Sequence, residues 1–507
     1  VVGSRLTTAL AGAIVAGAGD RSALSDELHF AAREPAERPH LDRGRANLLR
    51  ALDLPARAKV LHLGAGSGSL TRHLAETVSE VDAVEPDPAL AKIIEDRTAG
   101  LTGVRVLAEV PDDKYDIVVA VGILETLLDP DERTAFLRAA RERLAPGGTL
   151  CLAAENQFGV RNLAGAPDRH TGRRWDAIEG HPFGGPTRLI ARRPLEELLR
   201  EAGFGTTRVL GCFPDFRYTR VVFDRELLTA HPRLAIELPR LPSPDEGVDA
   251  PRPVDEAKVW AQLVGAGHAE DAANAFLVLA TVSGVSPLWP DGRLAKYFNT
   301  DRAARWCTGA EVTRHEVRRE PLLAPTGDGP VSVQAWTDPI HDGPTMVGVL
   351  AEQPWLAEEL LTAWRGLVHE HAASLGPALW DLLPHNIVVT GDGELRPIDL
   401  EWRFAEADPD TVVARGLLLT AERLAGLAWP GAGPSSTVRD LAAWLGALLG
   451  VTPDYVDEAV DREARFQAIG VHGGIPTQDT ESTIRAAWHG RLAEAVAVRD
   501  ELPGVDG

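Results

Sequence analysis

An apolar run, Val60-Leu61-His62-Leu63, runs straight into Gly64-Ala65-Gly66-Ser67-Gly68, and a second short apolar run, Val81-Asp82-Ala83-Val84, ends on Glu85. The first run reads as a buried strand, the alternating glycines as a tight turn, and Leu70 to Ala75 as the start of a helix. Strand, glycine loop, helix, strand and acid is the layout that binds an adenosine-type cofactor at the carboxyl edge of a parallel sheet. Glycine is needed where a Cβ would block close backbone approach. The acid is needed because a ribose diol offers two hydroxyl donors that one carboxylate accepts.

A glycine loop alone is also what any tight turn requires; the spacing to Glu85 favours the ligand. The dinucleotide fingerprint G-x-G-x-x-G places its third glycine where this chain has Ser69. No lysine follows the glycines, so the loop is not a P-loop. Tyr115 to Val121, ending at Gly122, reads as another buried strand. Phe136, Ala140 and Leu144 mark a helix face, and Leu144-Ala145-Pro146-Gly147-Gly148-Thr149-Leu150 reads as a turn into a further strand. Leu195 to Arg200 is helical and is stopped at Ala202-Gly203-Phe204. Alternating strands and helices predict an α/β fold with a Rossmann-like, doubly wound parallel sheet.

Over roughly residues 40–220 this series, with its LAPGGTL turn, resembles the class I S-adenosylmethionine-dependent methyltransferases. A narrower resemblance rests on His40 to Arg50, Glu155-Asn156-Gln157-Phe158-Gly159, Gly165 to Gly172, and Trp175 to Gly180. These stretches are similar to bacterial methyltransferases encoded with, or fused to, glycan-modifying enzymes, including the methyltransferase–kinases that terminate O-antigen chains. The resemblance implies S-adenosylmethionine as cofactor, held by Gly64, Ala65, Gly66, Gly68, Glu85, Val121 and Gly122. It also implies a sugar-bearing small molecule or glycan as acceptor. One departure stands out: His62 occupies a place where the family usually has an acid, which in many methyltransferases contacts the cofactor's amino-acid portion.

Methyl transfer from a sulfonium expels a neutral thioether, so no acid is needed for the leaving group. An acceptor hydroxyl must be aligned and must lose its proton, whereas a phosphate oxygen needs no base. In this fold the acceptor lies beyond the fourth and fifth strand ends. Glu125 follows the fourth strand, Glu155 and Asn156 end the fifth, and Asp168, His170, Asp176 and Glu179 lie in the polar insertion after it. His170 is the first candidate for general base, because imidazole titrates near neutrality; a loop-orienting role is the plainer alternative. Asp176 and Glu179 are one helical turn apart if the stretch is helical. They are candidates for binding sugar hydroxyls or orienting His170, or they face water. No spacing of these carboxylates demands a metal in this domain.

The length, 507 residues, exceeds one typical domain. A net charge of −22 disfavours nucleic acid or an anionic membrane as main partner. Cys151, Cys212 and Cys307 are far apart and form no C-x-x-C pair, which fits a reducing cytoplasm. The apolar segment Ala9 to Gly19 follows Arg5 and invites comparison with a secretory leader, but it is short and mostly Ala and Gly. No other run approaches the ~20 apolar residues of a membrane span. The sequence leaves the oligomeric state open.

The second half carries its own motif. Asp381 and Asn386 are five apart, a Gly391-Asp392-Gly393 hairpin turn follows, and Asp399 ends the second strand. Kinase catalytic loops use D-x-x-x-x-N in this way, and the layout resembles aminoglycoside phosphotransferases. That resemblance implies an α+β kinase-like domain with Asp381 positioning a nucleophile, Asn386 and Asp399 holding magnesium, and ATP as co-substrate. Lys296 would face the phosphates, with Glu311 or Glu316 as its partner. Leu379 replaces the usual histidine, and no glycine-rich loop precedes Lys296. Both an active kinase and a degenerate acceptor-binding or scaffolding domain therefore stay open.

The resulting expectation is an N-terminal extension (1–39), a methyltransferase domain (40–220), a proline-rich linker or extension (221–270), a kinase-like domain (271–435) and a C-terminal helical region (436–507). Its leading function is O-methylation of a sugar-containing acceptor. The alternatives are a bifunctional kinase and methyltransferase, or a cofactor-binding scaffold without turnover.

Overall fold

The computed structural model describes residues 2–185, 188–239, 242–243, 252–324, 329–375, 379–425, 435–471 and 478–496. Two compact units divide it. The first holds residues 1–300 and 311–314; the second holds 301–310 and 315–507. Of the linker prolines, Pro244 and Pro251 lie outside the described residues.

The first unit is built on β1 (Lys59–Leu63), β2 (Glu80–Val84), β3 (Val104–Leu107), β4 (Tyr115–Val121), β5 (Leu144–Glu155), β6 (Thr206–Phe213), β7 (Val221–Phe223), β8 (Ala275–Thr281) and β9 (Ala295–Asn299). They lie in the order β9-β7-β6-β8-β5-β4-β1-β2-β3. β1 pairs in parallel with β2 and β4, β2 with β3, and β4 with β5. β1, β4 and most of β5 are buried, as strands covered on both faces must be. Helices Ser69–Thr77, Pro88–Thr98, Pro130–Glu142 and Arg192–Glu201 follow strands in alternation. Two start on an Asp-Pro pair: Asp87 accepts from the Ala89 amide at 2.8 Å, and Asp129 from Asp131 at 2.8 Å. The aspartate satisfies an orphan donor, and proline at the first helical position loses nothing. The LAPGGTL turn lies at the start of β5, where the pairing with β4 shifts register and Gly147 takes φ +81°.

Three elements depart from the expected division. Ala275–Thr281, assigned to the opening of the second domain, is inserted antiparallel between β5 and β6 of the first unit. Its seven residues are all buried, so it reads as core strand in any sheet. The proline-rich stretch contains β7 and helices at Glu226–Ala230, Pro232–Glu237 and Glu256–Gly265. The N-terminal segment is a helix, Val2–Gly17, whose Ala11 and Val15 pack in a buried cluster with Leu28, Leu41 and Ile93. Lys296 and Glu311 form an ion pair at 3.2 Å within the first unit.

The second unit is mainly helical, with helices at Met346–Glu352, Ala357–Leu375, Pro409–Leu424, Val438–Leu448, Tyr455–Gly470 and Gln478–Leu492. They surround a core of Trp364, Trp380, Phe404, Leu417 and Phe466. Ile387–Val389 and Leu395–Pro397 form the hairpin expected from the sequence, with Gly393 at φ +84° in its turn. Among the described residues no helix is long and apolar enough to cross a membrane. All three cysteines are buried and free.

Candidate functional site

Strand order reverses between β1 and β4, because the chain moves outward through β2 and β3 and then returns to the other side of β1. In an open α/β sheet this switch point leaves a crevice at the carboxyl ends of the strands. A cavity of about 140 Å³ lies there, lined by Pro39, His40, Arg45, His62, the Gly64–Ser67 loop, Ser69, Leu70 and Val121. Gly64, Gly66 and Gly68 all take positive φ, at +60°, +58° and +78°. A Cβ on Gly66 would meet no atom within 4 Å, so its side is open to a ligand; one on Gly68 would press on Ile94. Gly122, after β4, is backed by the Phe216 ring.

Glu85 is buried at the end of β2. Its Oε2 accepts from the Gly66 amide at 2.7 Å and its Oε1 from the Asp87 amide at 3.1 Å. The carboxylate therefore lies against the glycine loop. The His40 to Arg50 segment is tied to the same loop: Ser69 Oγ and Arg97 both donate to the His40 carbonyl, and Arg97 Nε donates to the Ser67 carbonyl at 3.1 Å. His62 is buried, with Nδ1 2.9 Å from Thr71 Oγ1. Burial, with the nearby Arg45 charge, lowers its pKa to about 3, so it is neutral.

A second cluster gathers beyond β4 and β5. Glu125 Oε1 accepts from the Glu155 amide at 2.7 Å, while its Oε2 is buried without a partner. Burial raises the Glu125 carboxyl to about 7. Glu155 sits between two guanidiniums, Arg217 at 3.1 Å and Arg169 at 3.5 Å, and Arg169 reaches Asp215 at 2.5 Å. Burial pushes the Glu155 carboxyl up, but Arg169 and Arg217 outweigh it, and the net shift is downward.

His170 lies beside this lattice. Asp168 Oδ1 accepts from its backbone amide at 2.8 Å, which fixes the turn, while the imidazole Nε2 is buried without a hydrogen-bond partner. Burial lowers its pKa and the Glu155 charge opposes that; the net is below the ordinary value. A neutral imidazole can accept a proton. Asp168 is also 3.3 Å from His181 Nε2. Asp176 is buried with Oδ2 unpartnered, whereas Glu179 is exposed on a run of turns rather than a helix. The two carboxylates thus do not share a helical face.

Sequence reasoning missed His181, Asp215, Arg217 and Arg45. His181 and Trp175 carry positive φ, at 55° and 60°, a conformation no sequence pattern announced. Asp215 lies near the end of the stretch assigned to the methyltransferase domain; its Asp-x-Arg-Tyr turn, with Oδ1 accepting from the Arg217 and Tyr218 amides, was the available signal.

Residues 29–209 match the family model described as a methyltransferase domain. This segment is a class I S-adenosylmethionine-dependent methyltransferase domain. The match ends within β6, so the antiparallel β8 that completes the methyltransferase sheet lies beyond it. A ubiquinone biosynthesis O-methyltransferase of Xanthomonas axonopodis pv. citri is 34% identical over 113 residues, 20% of this chain and 45% of that protein. A probable ribosomal RNA small subunit methyltransferase A of Methanosarcina mazei is 35% identical over 85 residues, 16% of this chain and 30% of that protein. The chain thus spans less than half the length of these relatives. The CcbJ methyltransferase of Streptomyces caelestis is 18% identical, with 52% of this chain and all of that one covered and a TM-score of 0.31. That likeness is too slight to bear on function.

In the second unit, Asp381 Oδ1 accepts from Arg415 at 3.0 Å, and burial raises its pKa to about 6. Asn386 Nδ2 donates to the Asp381 carbonyl at 3.0 Å. Asp399, at φ +61°, is ion-paired through Oδ1 to Arg319 Nε at 2.6 Å. Arg319 also pairs with the buried Asp338.

Proposed function

We propose that this chain transfers a methyl group from S-adenosylmethionine to an oxygen of a sugar-containing, hydroxyl-bearing acceptor, with His170 as general base. The observation that carries the reading is the buried, unpartnered Nε2 of His170 in the insertion after β5. The glycine loop, the cavity at the switch point and Glu85 fit the cofactor: an open backbone face, and a carboxylate placed to accept ribose hydroxyls. S-adenosylmethionine bound there supplies an electrophilic methyl group. The cofactor would give its methyl to the acceptor oxygen and leave as a neutral thioether, and His170 Nε2 would take the proton that the hydroxyl loses.

Oxygen as the acceptor atom is supported by the relation to an O-methyltransferase. The sugar is supported by the glycan-modifying resemblance of the sequence. Exposed rings in the insertion, Phe158, Trp175 and Phe183, offer flat apolar faces of the kind a sugar ring packs on. Phosphoryl transfer forms no part of the reading, because the Asp399 carboxylate already faces Arg319. The test is transfer of labelled methyl from S-adenosylmethionine to a panel of nucleotide sugars and glycosides, with His170→Gln alongside. Labelling of hydroxyl acceptors that falls by ~10²-fold or more in the variant is expected. Labelling confined to nitrogen acceptors overturns the oxygen assignment.

A further inference from the structure

The residues lining the cofactor cavity include no carboxylate. Their ionisable members are His40, Arg45 and His62. Burial is the largest cause lowering the pKa of both histidines, and the Arg45 charge adds to it, so both are neutral near neutral pH. Arg45 is the single cation on that wall. It forms no ion pair among the described residues; its Nη1 donates to the Phe216 carbonyl at 3.4 Å. Its guanidinium stands 5.9 Å from the centre of the Phe216 ring, and Arg217 stands 4.8 Å from the same ring. Phe216 in turn backs Gly122 at the end of β4. Two cations thus flank one ring at the cavity's edge. Glu155 pairs with Arg217 and Arg169, and Asp215 with Arg169, whereas Arg45 feels the Asp215 charge without pairing with it. Burial, with the Arg217 charge, lowers its pKa to about 10, and the Asp215 and Tyr218 charges oppose that shift.

The geometry points to Arg45 as the residue that selects the cofactor by its carboxylate, while the cofactor's ammonium group finds no carboxylate on this wall. This inference rests on the S-adenosylmethionine reading and deepens it. Glu85 addresses the ribose end, and Arg45 with His62 addresses the amino-acid end. A guanidinium and a carboxylate make charge-assisted, often bidentate, hydrogen bonds. An ammonium beside Arg45 and a neutral, Thr71-bonded His62 gains no opposite charge. Binding strength in the amino-acid tail therefore comes from one of its two charges.

The experiment is isothermal titration of the full chain with four thioethers: S-adenosylhomocysteine, its decarboxylated analogue, its deaminated analogue, and 5′-methylthioadenosine, which lacks both groups. Losing the carboxylate is expected to weaken binding about tenfold to a hundredfold, and losing the amino group by less than about threefold. Arg45→Met should weaken S-adenosylhomocysteine by the same factor and leave 5′-methylthioadenosine unchanged, which also shows that the variant is folded. Equal losses for the two single-group analogues overturn the proposal, and so does unchanged S-adenosylhomocysteine binding in Arg45→Met. Should that variant fail to fold, the analogue series on the unaltered chain still decides. If no adenosyl compound binds the unaltered chain, the cofactor reading itself falls, an outcome distinct from binding that ignores Arg45.

Discussion

The Gly66 amide donates to Glu85 Oε2 at 2.7 Å, linking the glycine loop after β1 to the acid that ends β2. One carboxylate thus ties the loop to the end of β2, and in the proposed function it also accepts the ribose hydroxyls.

Glu85→Ala removes both roles. Loss of a charged hydrogen-bond acceptor costs roughly 1–3 kcal/mol. S-adenosylhomocysteine affinity should therefore fall about tenfold to a hundredfold by calorimetry. An unchanged dissociation constant would place the ribose elsewhere.

Methyl transfer should depend on pH through His170. The base works unprotonated, and burial holds its pKa below the ordinary 6.5. The rate of transfer to a hydroxyl should be flat above pH 6.5 and fall only on the acid side of it. An inflection close to 7 that survives in His170→Gln would assign the step to Glu125, whose carboxyl is raised to about 7.

His73 should make the first unit acid-sensitive. It is buried, and burial lowers its pKa to about 3 from an ordinary 6.5. Above pH 6.5 neither folded nor unfolded chain holds this proton, so stability is unaffected. Between 6.5 and 3 the unfolded chain binds it and the folded chain does not, so stability falls with falling pH, by up to about 1.4 kcal/mol per unit. Urea midpoints at pH 7.5 and 5.5 should converge in His73→Leu relative to the unaltered chain. Equal pH sensitivity in both proteins would refute the assignment.

Arg319 should be structural. Arg319 and Asp338 are buried, and the Asp399 amide donates to Asp338 Oδ2 at 2.9 Å. Arg319→Met strands the carboxylates and should cost about 3–5 kcal/mol in the second unit. Thermal melting should show that loss, and Mg-ATP should leave the unaltered chain's melting point in place. Magnesium-dependent stabilisation by ATP that disappears in Asp399→Ala would instead reveal a working phosphotransferase site.

What the sequence determined by itself was local. The glycine loop, its flanking strands and Glu85 lie within 27 residues, and the hairpin at Gly393 within 11, so chain stereochemistry and apolar periodicity specify them directly. Tertiary structure decided what depends on distant partners. Ala275–Thr281 is an unbroken apolar run, which fits any buried strand; only its pairing with Leu144–Glu155 and Thr206–Phe213 assigns it to the methyltransferase sheet. Asp176 and Glu179 part because the insertion folds as turns, with one buried and the other exposed. Arg45 with Phe216, Arg169 with Asp215, and Arg319 with Asp399 are ordinary residues along the chain. They acquire chemistry only when folding removes the water that would otherwise screen their charges, and no spacing along the chain encodes that event.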